Sequence, residues 1–273
     1  MEAKLQRRIQ RYGWDKAAPV YERYWQAQLA PARERLFALA DLRPGERVLD
    51  IACGTGLVSF PAAAAVAPGG SLDATDISEA MVSAVTSEAQ RRGLTNIRAS
   101  RMGAEDLHLP DATFDAVLCA LGLMYVPDPQ VAFQEFYRVL KPGGRVTAAV
   151  WGARKNCGWA EIFPIVDARV QSEVCPMFFQ LGTGDRLSRV AAQAGFAGVR
   201  SDRVQAVLHY ASAEDAVGAA FAGGPVALAY SRFDDEMRAD AHAEYLASIE
   251  PFRSGSAYGI PGEFVVIVAR RPV

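Results

Sequence analysis

Nine residues, Val48-Leu-Asp-Ile-Ala-Cys-Gly-Thr-Gly56, join a short apolar run, an acid and two closely spaced glycines. Gly54 and Gly56 carry no Cβ, so the backbone can bend sharply there and a ligand can come close to it. The residues that follow read as a helix, whose first N–H groups are free to meet an anionic group. Asp50 places a carboxylate beside the turn, which suits a cationic ammonium or a hydroxyl rather than a pyrophosphate. Asp76, in Asp73-Ala-Thr-Asp-Ile-Ser78, lies 20 residues after Gly56 at the end of the next strand. There one carboxylate can take two hydrogen bonds from a ribose diol. Ile77 and Met81 come next and could sandwich an adenine, although a helix core would use Met81 equally well. A third segment, Gly103-Ala-Glu-Asp-Leu-His-Leu-Pro-Asp-Ala-Thr-Phe-Asp115, follows the third strand. Its backbone and Glu105 can reach a base, or it is a solvated acidic loop. The fourth strand then ends at the same edge near Cys119.

A scaffold must hold these pieces in register. Residues 47–51, 71–76, 96–100, 114–120 and 145–151 read as strands, separated by helices over 57–66, 78–92 and 129–140. Ser78 is a ready cap for the second of these helices, with Met81, Val82 and Val85 on its inner face. Strands alternating with helices imply right-handed parallel crossovers, a sheet covered on both faces, and a ligand beyond the carboxyl ends of the strands. Before this unit, residues 1–43 read as helical and are rich in aromatics, among them Trp14, Tyr21 and Trp25, with Pro31 opening a second helix. After it, 158–174 and 185–194 read as helices, 199–209 as a strand, and 213–249 as alanine-rich helix broken at Gly223-Gly224-Pro225. Residues 264–269 form the seventh and last strand. The expected division is 1–43 as lid helices, 44–211 with 253–273 as the core, and 212–252 as an inserted helical cap.

The chain of 273 residues is 51% apolar and 22% charged, enough for a sizeable core. Its net charge is −2 and its pI about 6.0, with no basic face to suit nucleic acid. Met1–Arg11 is too polar for a secretory leader, and no apolar run reaches the roughly 18 residues of a membrane span. Cys53, Cys119, Cys157 and Cys175 show no Cys-x-x-Cys spacing, and His is scarce. Reduced thiols, no metal site and a cytoplasmic location are therefore expected.

Taken together and in order, these motifs resemble the class I S-adenosylmethionine-dependent methyltransferases, above all the group similar to the ubiquinone and menaquinone C-methyltransferases (methyltransferase type 11). Val48–Gly56 resembles their cofactor loop and Asp76-Ile-Ser-x-x-Met81 their ribose and adenine segment. Ala104-Glu-Asp-Leu and Pro110-Asp-x-x-Phe-Asp115 resemble the adenine loop and fourth strand, and Arg138-Val-Leu-Lys-Pro-Gly-Gly144 the turn before the fifth strand. The resemblance covers about residues 12–151. It implies an α/β, Rossmann-like, doubly wound and mostly parallel seven-stranded sheet with an antiparallel last strand and a helical cap. By that resemblance Asp50, Ala52, Cys53, Gly54 and Gly56 hold the methionine part of S-adenosyl-L-methionine and Asp76 the ribose. Ile77, Met81, Gly103, Ala104 and Glu105 surround the adenine end, Cys119 is a further cofactor-binding residue at the end of the fourth strand, and Tyr21 closes over the sulfonium side. Two positions depart from the family, which often has Gly at Ala52 and Asp at Gly103. The second leaves Glu105 or backbone groups to bind the adenine amino group.

The sulfonium methyl is already activated, so the protein need only place a nucleophile in line, exclude water and, where required, take a proton. Base candidates are His209, His242 and His108, each of which could equally be structural. A small-molecule acceptor, apolar or aromatic, is expected between the N-terminal helices, the segment after Trp151 and the cap. Trp14, Trp25, Tyr125, Trp151, Trp159 and Phe178 line it, with Phe163, Met177 and Phe179 adding apolar surface. A homodimer is compatible with the cap helices. Rival readings are a catalytically silent methyltransferase-like binding or regulatory protein, and a nicotinamide dehydrogenase. Against the latter, Ser59 stands where a third glycine belongs and Asp50 makes the turn negative.

Overall fold

The computed structural model describes residues 2–170 and 178–273. Five strands lie parallel in the order β3 (Ile97–Arg101), β2 (Ser71–Asp76), β1 (Arg47–Ile51), β4 (Phe114–Ala120) and β5 (Leu140–Trp151). β8 (Ala257–Arg270) runs antiparallel beside β5, and β6 (Ala197–Tyr210) closes the sheet antiparallel to β8. A two-residue strand, β7 (Arg253–Ser254), folds back on the start of β8. The sheet is thus the Rossmann-like one expected, with that short extra strand.

Burial on both faces explains the continuous apolar runs. Val48, Leu72, Ala116 and Leu118 enter one core, and Leu49, Ile51, Val117, Val146 and Ala148 the other, as the two-residue period of a strand requires. The first core is closed by α2 (Ala30–Ala40), α3 (Ser59–Ala65) and α4 (Glu79–Arg91), and the second by α5 (Pro129–Val139) and the helices after β5. Caps fall where side chains allow. The Ser78 hydroxyl accepts from Met81 N at 3.2 Å, and Asp128 from Gln130 N at 2.9 Å, with Pro129 opening α5.

Three boundaries differ from those read in the sequence. The Pro142-Gly143-Gly144 turn lies inside β5, absorbed by a register shift between Phe114 and Ala116. β8 starts seven residues before Phe264, because Tyr258–Gly262 pair with β6 despite two glycines and Pro261. Of the expected helix over 158–174, only α6 (Ile162–Asp167) is helical among the described residues. Cys175 and Met177 lie outside the described residues.

After α7 (Arg186–Gln193) and β6 come α8 (Ala213–Val217), a π-turn over Gly218–Ala222, α9 (Ala227–Tyr230) and α10 (Asp235–Ile249). The break at Gly223–Pro225 is present, and a second occurs before Asp234, whose carboxylate caps α10 by accepting from Met237 N at 2.8 Å. α1 (Ala3–Trp25) packs against α4, α9 and the π-turn, so it crosses the carboxyl edge of the sheet. Among the described residues no helix is long and apolar enough to cross a membrane, and no cluster of three or more His, Cys, Asp or Glu could hold a metal.

Candidate functional site

The ends of β1 and β2 are laced together by the acids the sequence singles out. Gly54 N–H donates to Asp76 Oδ2 at 3.0 Å and Ser78 N–H to Asp76 Oδ1 at 2.9 Å. Asp50 is 1% exposed; its Oδ2 accepts from Ser59 Oγ at 2.5 Å, and its Oδ1 has no partner. Ser59, at the third-glycine position, is the first residue of α3. Burial drives the Asp50 carboxyl up to about 7, the Ser59 bond resisting and the charge of Asp76 adding to the rise. Burial likewise lifts Asp76 to about 6, against the N–H donors of Ser78 and Gly54. Two carboxylates are thus held inward at the edge of the sheet, each poised to gain from a donor or a cation.

Backbone conformation opens the space in front of them. Gly54 (φ 55°) and Gly56 (φ 95°) are left-handed, and a Cβ on Gly56 would lie 2.4 Å from the Phe60 ring. Ala52 (φ 57°) and Leu121 (φ 62°), just past β1 and β4, share that conformation although neither is glycine. Such strain persists where the surroundings impose it, and here it sits at the switch point of the sheet. The result is a crevice in front of the two acids. Tyr21, Ala52, Gly54, Asp76, Ile77, Met81, Gly103, Ala104 and Glu105 all line it, with Trp14 and Tyr125. A smaller cavity continues from Gly54 and Ala52 to Asp50, Cys53 and Arg33.

α1 roofs the crevice through three polar ties. Arg7 Nε pairs with Glu105 Oε2 at 2.7 Å, Gln6 Nε2 donates to Tyr125 O at 3.2 Å, and Asp15 Oδ1 accepts from Ser78 Oγ at 2.6 Å. Burial, and then the charge of Asp76, hold the Tyr21 phenol well above its usual range. Arg7, Gln10, Met102 and Gly122 also line the crevice, and Arg33 the smaller cavity. Sequence reasoning passed over all of them. Their residue types carry no local signal, since the burial of Gln10 exists only once α1 is folded over the sheet.

Beyond Tyr21 and Leu121 lies an aromatic cavity, walled by Trp14, Trp25, Tyr125, Trp151 and Trp159, with Gly224-Pro225 also lining it. Trp151 and Trp159 meet edge-on at 4.8 Å, and Trp25 packs on both. Phe178 backs the wall, 5.3 Å from Tyr125 and 5.7 Å from Trp159. Trp25 Nε1 donates to Gly223 O at 2.9 Å, which joins the N-terminal helix to the break between the inserted helices.

Several candidates lie elsewhere. The crevice edge does not include Gly56, which shapes the turn, or Cys119, whose thiol burial pushes up to about 12. Glu105 lines the crevice, but both its oxygens already have protein donors, since Oε1 accepts from Asp128 N at 2.9 Å. It pins α1 in place, and Met102, Gly103 and Ala104 line the crevice beside it. None of the three histidines lines the crevice or the aromatic cavity. His209 is exposed on β6 with its backbone paired to the Gln28 side chain. His242 bonds Tyr230 at 3.0 Å and stacks on Phe221, while His108 is an exposed neighbour of Asp106.

Residues 48–144 match the methyltransferase domain family. The chain is 36% identical over 133 residues to nocamycin O-methyltransferase of Saccharothrix syringae, covering 49% of this chain and 48% of that protein. It is 35% identical over 131 residues to demethylmenaquinone methyltransferase of Geobacillus sp. (strain WCH70), covering 48% and 56%. The chain thus spans about half the length of these curated relatives. In fold it is similar to phosphoethanolamine N-methyltransferase 2 of Haemonchus contortus, solved with phosphomonomethylethanolamine and S-adenosylhomocysteine. That match has a TM-score of 0.61 and 16% identity, over 95% of this chain and 58% of the other.

Proposed function

We propose that this chain, which carries a class I methyltransferase domain, transfers a methyl group from S-adenosylmethionine to a small-molecule acceptor of apolar or aromatic character. One observation carries the reading. A buried carboxylate oxygen, Asp50 Oδ1, and a buried guanidinium nitrogen, Arg33 Nε, both without partners, line one cavity that continues into the Asp76 crevice. Buried polar atoms are seldom left unpaired, and one unmet carboxylate oxygen and one unmet guanidinium nitrogen lining the same cavity suit the two charges of an amino-acid end. The residues present therefore fit the donor. Asp50 would meet its ammonium, Arg33 its carboxylate and Asp76 its ribose hydroxyls, with Ile77 and Met81 against the base. A pyrophosphate in place of the amino-acid end would be repelled by Asp50, which argues against the dehydrogenase reading.

When bound, S-adenosylmethionine supplies an activated methyl for in-line displacement. The chain's own part is to bind, orient and keep water out. Tyr21 and Trp14 cover the crevice from α1, and the rings beyond Leu121 offer a flat acceptor its place. The relatives' names give nocamycin and demethylmenaquinone as what those proteins act on, both small molecules. The ionisable side chains lining the crevice are Arg7, Tyr21, Asp76, Glu105 and Tyr125, and with no histidine there no general base is assigned.

Calorimetry tests the proposal. S-adenosylhomocysteine should bind and NAD should not, and a product screen with S-adenosylmethionine and small acceptors should show methyl transfer. Binding of NAD with no binding of S-adenosylhomocysteine would overturn it. Retained S-adenosylhomocysteine binding with no turnover on any acceptor would favour the silent, regulatory reading.

A further inference from the structure

Trp159 is 4% exposed and lines the aromatic cavity, yet its indole Nε1–H has no hydrogen-bond partner. The contrast with Trp25, whose Nε1–H is bound to Gly223 O, is direct. Buried indole donors usually find an acceptor, and orphaned ones are rare. The residues lining this cavity include no Asp, Glu, Lys or Arg. A cation would gain from the ring faces but leave the N–H unpaired and its own charge without a counter-ion. An anion would lose its hydration with only neutral indole and phenol donors, and no cation, to replace it. A neutral flat molecule with an oxygen acceptor satisfies the rings and the donor together.

We propose that the aromatic cavity is the acceptor subsite, and that Trp159 selects within it for neutral, flat molecules carrying a carbonyl or ether-type oxygen, to which its indole N–H donates. This rests on the methyl-transfer reading above for the identity of the ligand as acceptor. Trp159 is here a specificity-determining residue. The cavity shares Trp14, Tyr21, Leu121 and Tyr125 with the crevice, so an acceptor held by Trp159 lies next to the donor's side of Tyr21.

Three probes of nearly one shape test it on the full chain by calorimetry, with and without S-adenosylhomocysteine: 2-acetylnaphthalene, 2-ethylnaphthalene and 2-naphthyltrimethylammonium. The acetyl compound should bind about tenfold more tightly than the ethyl compound, the worth of one buried hydrogen bond. Trp159→Phe should abolish that preference, lowering the acetyl probe to the level of the ethyl probe in the same variant, and Trp159→His, which keeps a ring N–H, should restore part of it. Equal binding of the acetyl and ethyl probes to the unmutated chain overturns the proposal, and so does tightest binding of the ammonium. So does a preference that survives Trp159→Phe in a chain whose thermal melt shows it folded. The comparison in the unmutated chain stands even if the variant fails to fold. Failure of S-adenosylhomocysteine to bind, with the acetyl preference intact, would instead remove the methyl donor and leave the oxygen-reading site standing.

Discussion

Asp50 gives one carboxylate oxygen to Ser59, whose Oγ donates at 2.5 Å, and holds the other buried without a partner. Its folded value of about 7 lies above the ordinary 3.8, so the folded state binds the proton more tightly than the unfolded chain. That contribution to stability is full below pH 3.8 and is lost as pH rises through about 7. Relative to Asp50→Asn, the free protein should therefore lose roughly 1–3 kcal/mol between pH 5 and 8. Ligand affinity should run the other way. An ammonium needs the ionised carboxylate, so S-adenosylhomocysteine should bind more weakly below pH 7 and release a proton on binding near pH 6.5. Affinity that is flat from pH 5.5 to 8 would detach Asp50 from the ligand.

Asp76 should matter for binding more than for folding, provided its backbone partners are respected. Asp76→Ala would strip acceptors from Gly54 N and Ser78 N, whereas Asp76→Asn leaves one oxygen to them. For Asp76→Asn we expect a loss in S-adenosylhomocysteine affinity on the order of 2–3 kcal/mol with a nearly unchanged melting temperature. An unchanged dissociation constant would mean that the carboxylate serves the turn alone.

Arg33 carries a more selective test. Its Nη1 and Nη2 donate to Leu57 O and Gln26 O, at 3.2 and 2.7 Å, and its Nε is unpaired. Arg33→Met should weaken S-adenosylhomocysteine by about 10- to 100-fold, the worth of a charge-assisted bond. It should leave 5′-methylthioadenosine, which lacks the amino-acid end, unaffected. Equal losses for both ligands would show that Arg33 supports the fold only.

Ala52 and Gly122 meet at the crest of the sheet. A Cβ on Gly122 would stand 2.3 Å from the Ala52 Cβ. Gly122→Ala should cost about 1–3 kcal/mol by overpacking. Adding Ala52→Gly removes the obstructing methyl and relieves a left-handed alanine, so the double variant should recover most of the loss in a denaturant titration. Additive losses would place the strain elsewhere.

The glycine turn, both acids and the five parallel strands were legible because each follows from local pattern: buried parallel strands are apolar throughout, and acids close to them stand out. What escaped depends on distant partners. Arg7, Asp15 and Arg33 look like ordinary solvated helix residues until α1 and α2 fold against loops far along the chain. Glu105 looked free because Arg7 and Asp128 N are 98 and 23 residues away. Glu263, buried at 2%, gave no hint that Arg203, Asn156 and Gln205 would satisfy it. The front of β8 read as loop because glycines and proline signal turns, whereas pairing with β6 overrides them.

The inserted helices should decide which acceptor is used. We take 212–252, with the N-terminal helices, as a cap over a core that, with Arg33 and Tyr21, holds the donor; the matched methyltransferase segment ends at residue 144. The two parts are joined at the Trp25–Gly223 hydrogen bond and by the π-turn, where a Cβ on Gly218 would strike the Tyr24 ring. Gly224 and Pro225 form part of the aromatic cavity itself. A π-turn followed by two glycines is a place where backbone can shift while the flanking helices stay whole. Opening there would admit an acceptor, and closing would set Trp25 and Pro225 against it. Replacing 212–252 with the corresponding segment of a related methyltransferase should therefore change acceptor preference in a product screen and leave S-adenosylhomocysteine affinity as it was. If preference stays the same while that affinity collapses, these helices only brace the sheet.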